Sequence, residues 1–320
     1  MKSLLYPHMK TKGISIVLIL FVFLVACDGG KKKKKKDPET AKDTTKTEAA
    51  TKKNAHPKLS REVLSDIVKS IPSPLEISFL IKDLGIQYDK KLLNSADNIS
   101  SYNTNYKKAL NLGIYSTDLG YANIYEQTQD ALYYLNSVKE MADGLNIGQF
   151  FDFKTIKRLA TKSNNLDSLL LETNTNLEKI NDHLQDIGRA DLTILILTGG
   201  WLESLYITCE IAKKSPNELL NNRIGEQKII LEQLLLLLSF YEELPNVKNL
   251  IVDLNKLQKI YENVKIDFQY NDPTTTTKKD EDNNEILIVD DNTSTKINFT
   301  ADDLNKILQT SKEIRGKIIN

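Results

Sequence analysis

The feature that most constrains the fold is a long seam of apolar and small residues between positions 106 and 145. Its members recur at alternating steps of four and three residues, with one extra step of four: Tyr106, Leu110, Gly113, Thr117, Gly120, Ile124, Thr128, Ala131, Leu135, Val138, Ala142 and Leu145. A mean spacing of about 3.5 residues is typical of helices that pack along one face in a bundle. The seam predicts a long helix from about residue 102 to 145.

Helix-start and helix-stop residues extend the helical pattern along the chain. Ser73 and Pro74 predict an N-cap and a first turn, and Gly85 predicts the end of that helix. Ser215 and Pro216 predict another start in the same way. Further helices are expected at about 60–70, 152–162, 166–187, 190–214, 217–243, 246–264 and 301–318. Those at 190–214 and 217–243 are apolar on nearly every face, which predicts that other helices enclose them. The predicted fold class is all-α, a bundle of about eight to ten helices.

A different pattern occupies residues 265 to 299. The segments "KIDFQY", "EILIV" and "KINFT" alternate or cluster β-branched and aromatic residues, and they predict two or three short strands. The segments "NDPTTTTKKDEDNN" and "DDNTST" are predicted as exposed connections. A small C-terminal β-hairpin or extended element is therefore expected before the last helix, which Thr300 can cap.

The amino terminus predicts where the protein resides. Lys10 and Lys12 precede an uncharged run that ends at "LVAC", Leu24–Cys27, and this run is too short to span a bilayer. The four residues resemble a bacterial lipobox, which implies cleavage after Ala26 and lipidation of Cys27. Residues 1–26 are thus predicted as a lipoprotein signal peptide. The alternative is an ordinary signal peptide with a chance cysteine.

Residues 27–58 are predicted as the lipidated cysteine and a disordered tether rich in Lys and Thr, because they carry no large apolar residue to offset the entropy of ordering. The run Lys31–Lys36 would either attract anionic headgroups or act as a solvated spacer. Residues 59–320 form the predicted helical domain. Of the 43 basic residues 14 precede Leu59, and of the 43 acidic residues 5 do, so the domain carries a net charge of −9. This sign argues against a nucleic-acid partner.

Motifs for catalysis, metals or cofactors are not found. His183 is the single histidine after residue 58, which leaves no histidine cluster for a metal. The sequence contains no CxxC, HExxH, Walker A or dinucleotide-binding glycine pattern. Cys209 lies among apolar residues at helical spacing, so a buried, inert thiol is expected. The sequence predicts no catalytic residue, metal or cofactor.

One tyrosine-rich segment is the best candidate for a ligand site. Seven of the 13 tyrosines lie between Tyr102 and Tyr134, beside Gly113 and Gly120, and each glycine costs a helix about 1 kcal/mol relative to alanine. Close helix packing alone would explain these residues. The alternative is a pocket between this helix and the one containing "LTGGW". Its predicted lining is Tyr115, Tyr121, Tyr125 and Trp201, with Asp118 or Glu203 as a polar contact.

Two segments carry a resemblance to known proteins. "LGIYSTDLGYANIYEQTQDALYYL", residues 112–135, and "EIRGKI", residues 313–318, resemble a group of uncharacterised lipoproteins from Bacteroidetes-type bacteria. The likeness covers roughly residues 60 to 320 and implies no activity or binding residue. In architecture alone the chain is also similar to a complement-binding helical surface lipoprotein of spirochaetes.

The sequence therefore predicts a lipid-anchored protein of the bacterial cell envelope, in either membrane and on either leaflet. Its expected role is that of a non-enzymatic binding or scaffolding module. Its expected partners are the membrane, through the lipid on Cys27, and an envelope protein or a small ligand. The alternative function is a carboxylate- and tyrosine-based enzyme or a small-ligand sensor with a pocket between helices.

Overall fold

The structure is a computed structural model that describes residues 60–160, 166–269, 274–279, 285–290 and 294–320. The predicted signal peptide, the lipidation of Cys27 and the tether lie outside these residues. The described part contains ten α-helices: α1 Arg61–Ser70, α2 Pro74–Asp83, α3 Asn105–Ile124, α4 Thr128–Gly144, α5 Phe153–Ala160, α6 Leu166–Asp186, α7 Ala190–Lys214, α8 Glu218–Ser239, α9 Pro245–Tyr261 and α10 Ala301–Ile319. Its four strands are β1 Lys265–Gln269, β2 Thr274–Lys279, β3 Glu285–Asp290 and β4 Ser294–Asn298. The predicted all-α class with a small β element is confirmed.

The chain divides into two compact units. The helical unit holds the ten helices together with β1 and β4, which pair antiparallel with Lys265 opposite Asn298. The other unit holds β2 and β3, an antiparallel pair with Thr274 opposite Asp290. Strand β2 was predicted as a connection; its run of β-branched threonines, which favour extended backbone, explains why it is a strand instead.

The long predicted helix is two helices, α3 and α4, that pack against each other. The chain turns after Ile124, where Glu126 adopts a left-handed φ of 58° and the amide of Gln127 donates to the carbonyl of Ala122. The turn falls at the extra step of four residues in the seam, so the irregularity of the pattern marks the end of one helix and the start of the next.

Most of the predicted caps are correct. The Ser73 hydroxyl accepts from the amide of Leu75, Gly85 ends α2 with a φ of 73°, and Thr300 forms a capping box with Asp303. The cap predicted at Ser215 is wrong. Asn217 caps α8 instead, through hydrogen bonds from the amides of Leu219 and Leu220, and its amide side chain replaces the expected hydroxyl.

Helix α7 forms the centre of the helical unit, as 21 of its 25 residues are buried. It is long and apolar enough to cross a membrane, but 89% of its most apolar window is buried inside the protein, as in the core helix of a helical bundle. The prediction that other helices enclose α7 is confirmed. The same prediction for α8 is only partly correct, because Leu219 and Leu236 are more than half exposed.

Glycines bring α3 and α7 into backbone contact. A Cβ atom on Gly113 would lie 2.0 Å from the carbonyl oxygen of Ile196, and one on Gly199 would lie 2.0 Å from the carbonyl oxygen of Leu110. Real Cβ atoms do not approach other atoms this closely. Close packing therefore explains these two glycines. The α3–α7 contact also fixes the positions of the other side chains on these two helices.

Candidate functional site

The six residues predicted to line one pocket lie in four places in the helical unit. Asp118 and Glu203 meet in a buried acidic cluster, whereas Tyr115 lies beside Tyr134, with ring centroids 6.3 Å apart. The rings of Tyr121 and Tyr125 contact each other in a separate aromatic group. Trp201 alone lines an open cleft. The structure thus brings Asp118 together with Glu203 and Tyr121 together with Tyr125, but it does not bring the six residues into one pocket.

The acidic cluster is built around an ion pair between α7 and α10. Arg315 donates from Nε to Glu203 Oε2 at 2.5 Å and from Nη2 to Glu203 Oε1 at 2.6 Å. Its Nη2 also donates to the carbonyl of Leu92, and the guanidinium carbon lies 4.5 Å from the centroid of the Tyr206 ring. Burial lowers the pKa of Arg315, but its acidic neighbours, Glu203 foremost, together raise it by more, so the arginine stays charged.

Asp118 is the second carboxyl group of the cluster and has no cation of its own. Its Oδ2 accepts from the amide of Asn94 at 3.1 Å, while no donor reaches Oδ1 among the described residues. Burial raises the pKa of Asp118 well above the ordinary value, and the nearby Glu203 carboxylate raises it further. A protonated Asp118 can donate a hydrogen bond to Glu203, which explains why its Oδ1 needs no donor. The charges of Arg315 and Glu203 then balance each other.

Asparagine and tyrosine side chains connect this cluster to the end of α10. The Asn94 amide group donates to the hydroxyl of Tyr102, which in turn donates to the carbonyl of Ile319 at 3.0 Å. Asn111 Nδ2 donates to the carbonyl of Ile318 at 3.2 Å. These bonds satisfy carbonyls of the last turn of α10 that lack partners within the helix. The network therefore holds α10 on α3.

The acidic cluster is closed to substrates. Asp118 and Glu203 each have 0% exposure, and Arg315 has 8%. A substrate atom has no path to either carboxylate without separation of α3, α7 and α10. The thiol of Cys209 is likewise fully buried, and burial raises its pKa, as expected for an inert cysteine.

The aromatic group around Tyr121 also serves packing. The ring centroids of Tyr88 and Tyr121 are 5.3 Å apart in a stacked arrangement, and those of Tyr125 and Tyr121 are 4.9 Å apart. The hydroxyl of Tyr121 accepts from the amide of Asp89, and that of Tyr125 donates to the carbonyl of Ile86. These hydroxyls fix the segment after α2 against α3, so they are engaged with the backbone and not directed at a cavity.

The open cleft lies on another face of α3. It encloses about 150 Å³ and is bordered by the α1–α2 connection and by residues of α3, α4, α5, α6 and α7. Pro72, Thr173 and Asn174 form an exposed rim, and Leu112 and Trp201 are buried in its wall. Gly113, Gly120 and Gly200 also border it. The cleft is thus placed between the two helices that were expected to flank a ligand, but no tyrosine lines it.

Three polar side chains of the cleft wall, those of Ser116, Thr117 and Trp201, have hydrogen-bond partners within the protein. The Ser116 hydroxyl donates to the carbonyl of Leu112 at 2.7 Å, and the Thr117 hydroxyl contacts the carbonyls of Gly113 and Gly200. The indole N–H of Trp201 donates to Gln227 on α8 at 3.0 Å. What the cleft offers to a ligand is therefore mainly apolar surface.

A second depression, of about 430 Å³, lies between α7 and α10 at the surface. Two of its three lysines contact carboxylates. Lys214 pairs with Asp89 at 2.8 Å, and Lys312 lies 3.6 Å from Glu210. Because its charges are largely compensated, this depression is a weaker candidate for a ligand than the apolar cleft.

Metal sites and known proteins give no further assignment. Within the part of the chain that the structure describes, no group of three or more His, Cys, Asp or Glu side chains is arranged to hold a metal ion. Comparison with protein-family models, with curated proteins and with solved structures finds no match to the chain. The candidate site therefore rests on the chain's own residues.

Proposed function

We propose that this chain is a lipid-anchored protein of the bacterial cell envelope and that its helical unit acts as a non-enzymatic binding module. The lipid anchor is supported by the segment "LVAC" directly after an uncharged run, with Cys27 as the acceptor. The resemblance to uncharacterised Bacteroidetes-type lipoproteins points the same way. The anchor would hold the helical unit at a membrane surface, with residues 27–58 as a tether.

One observation carries the binding role: the open concavity is apolar, while the acids are sealed. Concave, largely apolar pockets are the usual sites of small ligands. The cleft beside Trp201 opens between exposed rim residues and reaches buried residues of α3 and α7. Its described lining is mainly apolar and contains no titratable side chain that could act as a base, and this combination favours binding over catalysis.

The enzyme alternative has less support. Acid–base catalysis requires a carboxylate within hydrogen-bonding reach of the substrate. Asp118 and Glu203 are fully buried, and Glu203 is held by two hydrogen bonds from Arg315. A carboxylate fixed in this way serves the stability of the fold.

The anchor is tested by metabolic labelling. Cells that express the full chain should incorporate labelled palmitate into it, because a lipobox cysteine receives acyl chains. The Cys27→Ala variant should carry no label, and the Cys209→Ala variant should be labelled like the unaltered protein. Label that persists after Cys27→Ala would contradict the proposed anchor.

The binding role is tested by ligand capture. The full chain is immobilised and exposed to an extract of envelope lipids and metabolites, and retained compounds are identified by mass spectrometry. We expect compounds that are enriched on the unaltered protein and on Ser116→Ala but lost on Ser116→Phe, whose ring would occupy the cleft. Equal retention by all three proteins would overturn the proposal.

A further inference from the structure

We infer that the cleft between α3, α6 and α7 binds an uncharged hydrocarbon group of a small molecule, of the size of one aromatic ring or a short alkyl chain. The inference rests on the proposed binding function and specifies its ligand class. Three properties of the cleft carry it: its charge, its hydrogen bonds and its volume.

The first property is the absence of charge. None of the described residues that line the cleft is an acid or a base; apart from Ser, Thr and Asn, the lining consists of apolar residues and glycine. The buried ion pair between Glu203 and Arg315 belongs to the sealed cluster and not to the lining. Because burying an unpaired charge is costly, an ionised ligand group would not be retained at the floor of this cleft.

The second property is the engagement of the hydroxyl groups. Ser116 and Thr117 both donate to backbone carbonyls of their own helix, four residues earlier. The Ser73 hydroxyl accepts from the amide of Leu75 at the start of α2. The hydrogens of Ser116 and Thr117 are thus already donated, so a buried acceptor on a ligand would have to compete with the backbone for them, which is unfavourable. The cleft therefore favours a ligand whose buried part is apolar.

The third property is the volume. An apolar cavity of about 150 Å³ holds a molecule of the size of benzene. The cleft encloses about the same volume, and Val138, Ile156, Leu177 and Ile196 supply aliphatic surface around it. A longer molecule would place only one end in the cleft and extend past the exposed rim at Pro72 and Asn174.

Trp201 makes this site directly measurable. It is the protein's single tryptophan, it lines the cleft, and its side chain is only 4% exposed. Bromine atoms quench tryptophan fluorescence on contact. The probes are therefore 1-bromohexane and bromobenzene, compared with the charged analogues 6-bromohexanoate and 6-bromohexylammonium, on the purified full chain.

Two filled variants locate the binding. Ser116→Phe fills the cleft from α3, and Leu197→Phe fills it from α7, while Ser116→Ala is the matched open control. We expect saturable quenching by the two neutral probes, with affinity reduced at least about tenfold in a filled variant that keeps its helical circular dichroism. Some probe will partition into the detergent that surrounds the lipid anchor, and this lowers the free probe concentration equally for every variant. The comparison between variants is therefore unaffected.

The outcomes separate the ligand class from the proposed function. Tighter binding of a charged probe, again lost in the filled variants, would overturn the hydrocarbon ligand while leaving the binding module intact. Saturable quenching that is the same in the filled and open variants would also overturn it, because the probe would then bind elsewhere. If neutral and charged probes all fail to quench and the capture experiment retains nothing specific, both proposals fail.

Discussion

The buried carboxyl groups of Asp118 and Glu203 differ in the partner that each one contacts. Glu203 receives two hydrogen bonds from Arg315, whereas Asp118 receives one from a backbone amide. Two negative charges beside one positive charge would be unfavourable in the core, and protonation of Asp118 removes the excess. The two residues should therefore respond differently to substitution.

Glu203→Gln is expected to be strongly destabilising. It would remove the carboxylate that accepts two hydrogen bonds from Arg315 and leave only Asp118, which accepts from the amide of Asn94, as a nearby acid. Loss of one partner of a buried pair costs about 3–5 kcal/mol of unfolding free energy. Glu210→Gln is the matched control, since Lys312 and Glu210 also join α10 to α7, but the Lys312 side chain is 60% exposed to solvent. It should cost less than about 1 kcal/mol. Similar losses in the two variants, measured by denaturant unfolding, would contradict the role of the buried pair.

Asp118→Asn is expected to stabilise the protein increasingly as the pH rises. Burial and the Glu203 carboxylate raise the pKa of folded Asp118 above the unfolded value near 3.8, so the folded protein keeps this proton to a higher pH than the unfolded chain does. The unaltered protein therefore loses stability as the pH rises from that value to the folded pKa, by at most about 1.4 kcal/mol per pH unit. Asparagine does not titrate, so the variant avoids this loss.

The measurement is the difference in unfolding free energy between Asp118→Asn and the unaltered protein from pH 4 to pH 8. The titratable groups that interact electrostatically with Asp118 are Glu203, Arg315, Tyr88, Tyr115 and Tyr134. Burial raises the pKa of the three tyrosines, so they stay neutral over this range. A difference that does not change with pH, or that turns against the variant at high pH, would show that Asp118 is ionised in the fold.

At the scale of elements, the contact between α3 and α7 depends on Gly113 and Gly199. Each would place a Cβ atom 2.0 Å from a carbonyl oxygen of the other helix. Gly113→Ala and Gly199→Ala should therefore lower the melting temperature, although alanine favours the helix by about 1 kcal/mol. Gly316→Ala in α10 is the control. Its Cβ would meet only Asn320 Nδ2, at 3.9 Å, so this variant should be as stable as the unaltered protein or more stable.

The elements themselves could largely be predicted from local sequence. Caps such as Ser73 and Thr300, and the helical spacing of α3, are properties of short segments, and the structure agrees with them. The errors occur where two local signals compete. Ser215 and Asn217 are both good caps, and the structure uses Asn217. In β2 the β-branched threonines favour a strand, whereas their polarity favours an exposed connection, and the structure forms the strand.

The site was harder to predict because it depends on which helix faces meet. Arg315 was missed, although it lies on the buried stripe of α10 with Leu304, Ile307, Leu308, Ser311, Ile314 and Ile318. A charged residue within such a stripe is a signal for a buried ion pair. The cleft lies between the two helices that were predicted to flank a pocket, but α6 and the α1–α2 connection, which complete its walls, are distant in sequence.

At the scale of the whole molecule, the helical unit separates two kinds of interior. The acidic cluster and its asparagine–tyrosine network close the contact of α10 with α3 and α7 and are sealed from water. The apolar cleft on another face of α3 remains open at its rim. We propose that the cleft is the binding site and that the acidic cluster maintains the fold.

The most direct test of this claim is the affinity for 1-bromohexane, measured by quenching of Trp201 in two variants of the full chain. We predict that Ser116→Phe weakens binding at least about tenfold, which corresponds to about 1.4 kcal/mol, while Asp118→Asn changes it less than about twofold. The opposite result, binding that is lost in Asp118→Asn and kept in Ser116→Phe, would contradict the account.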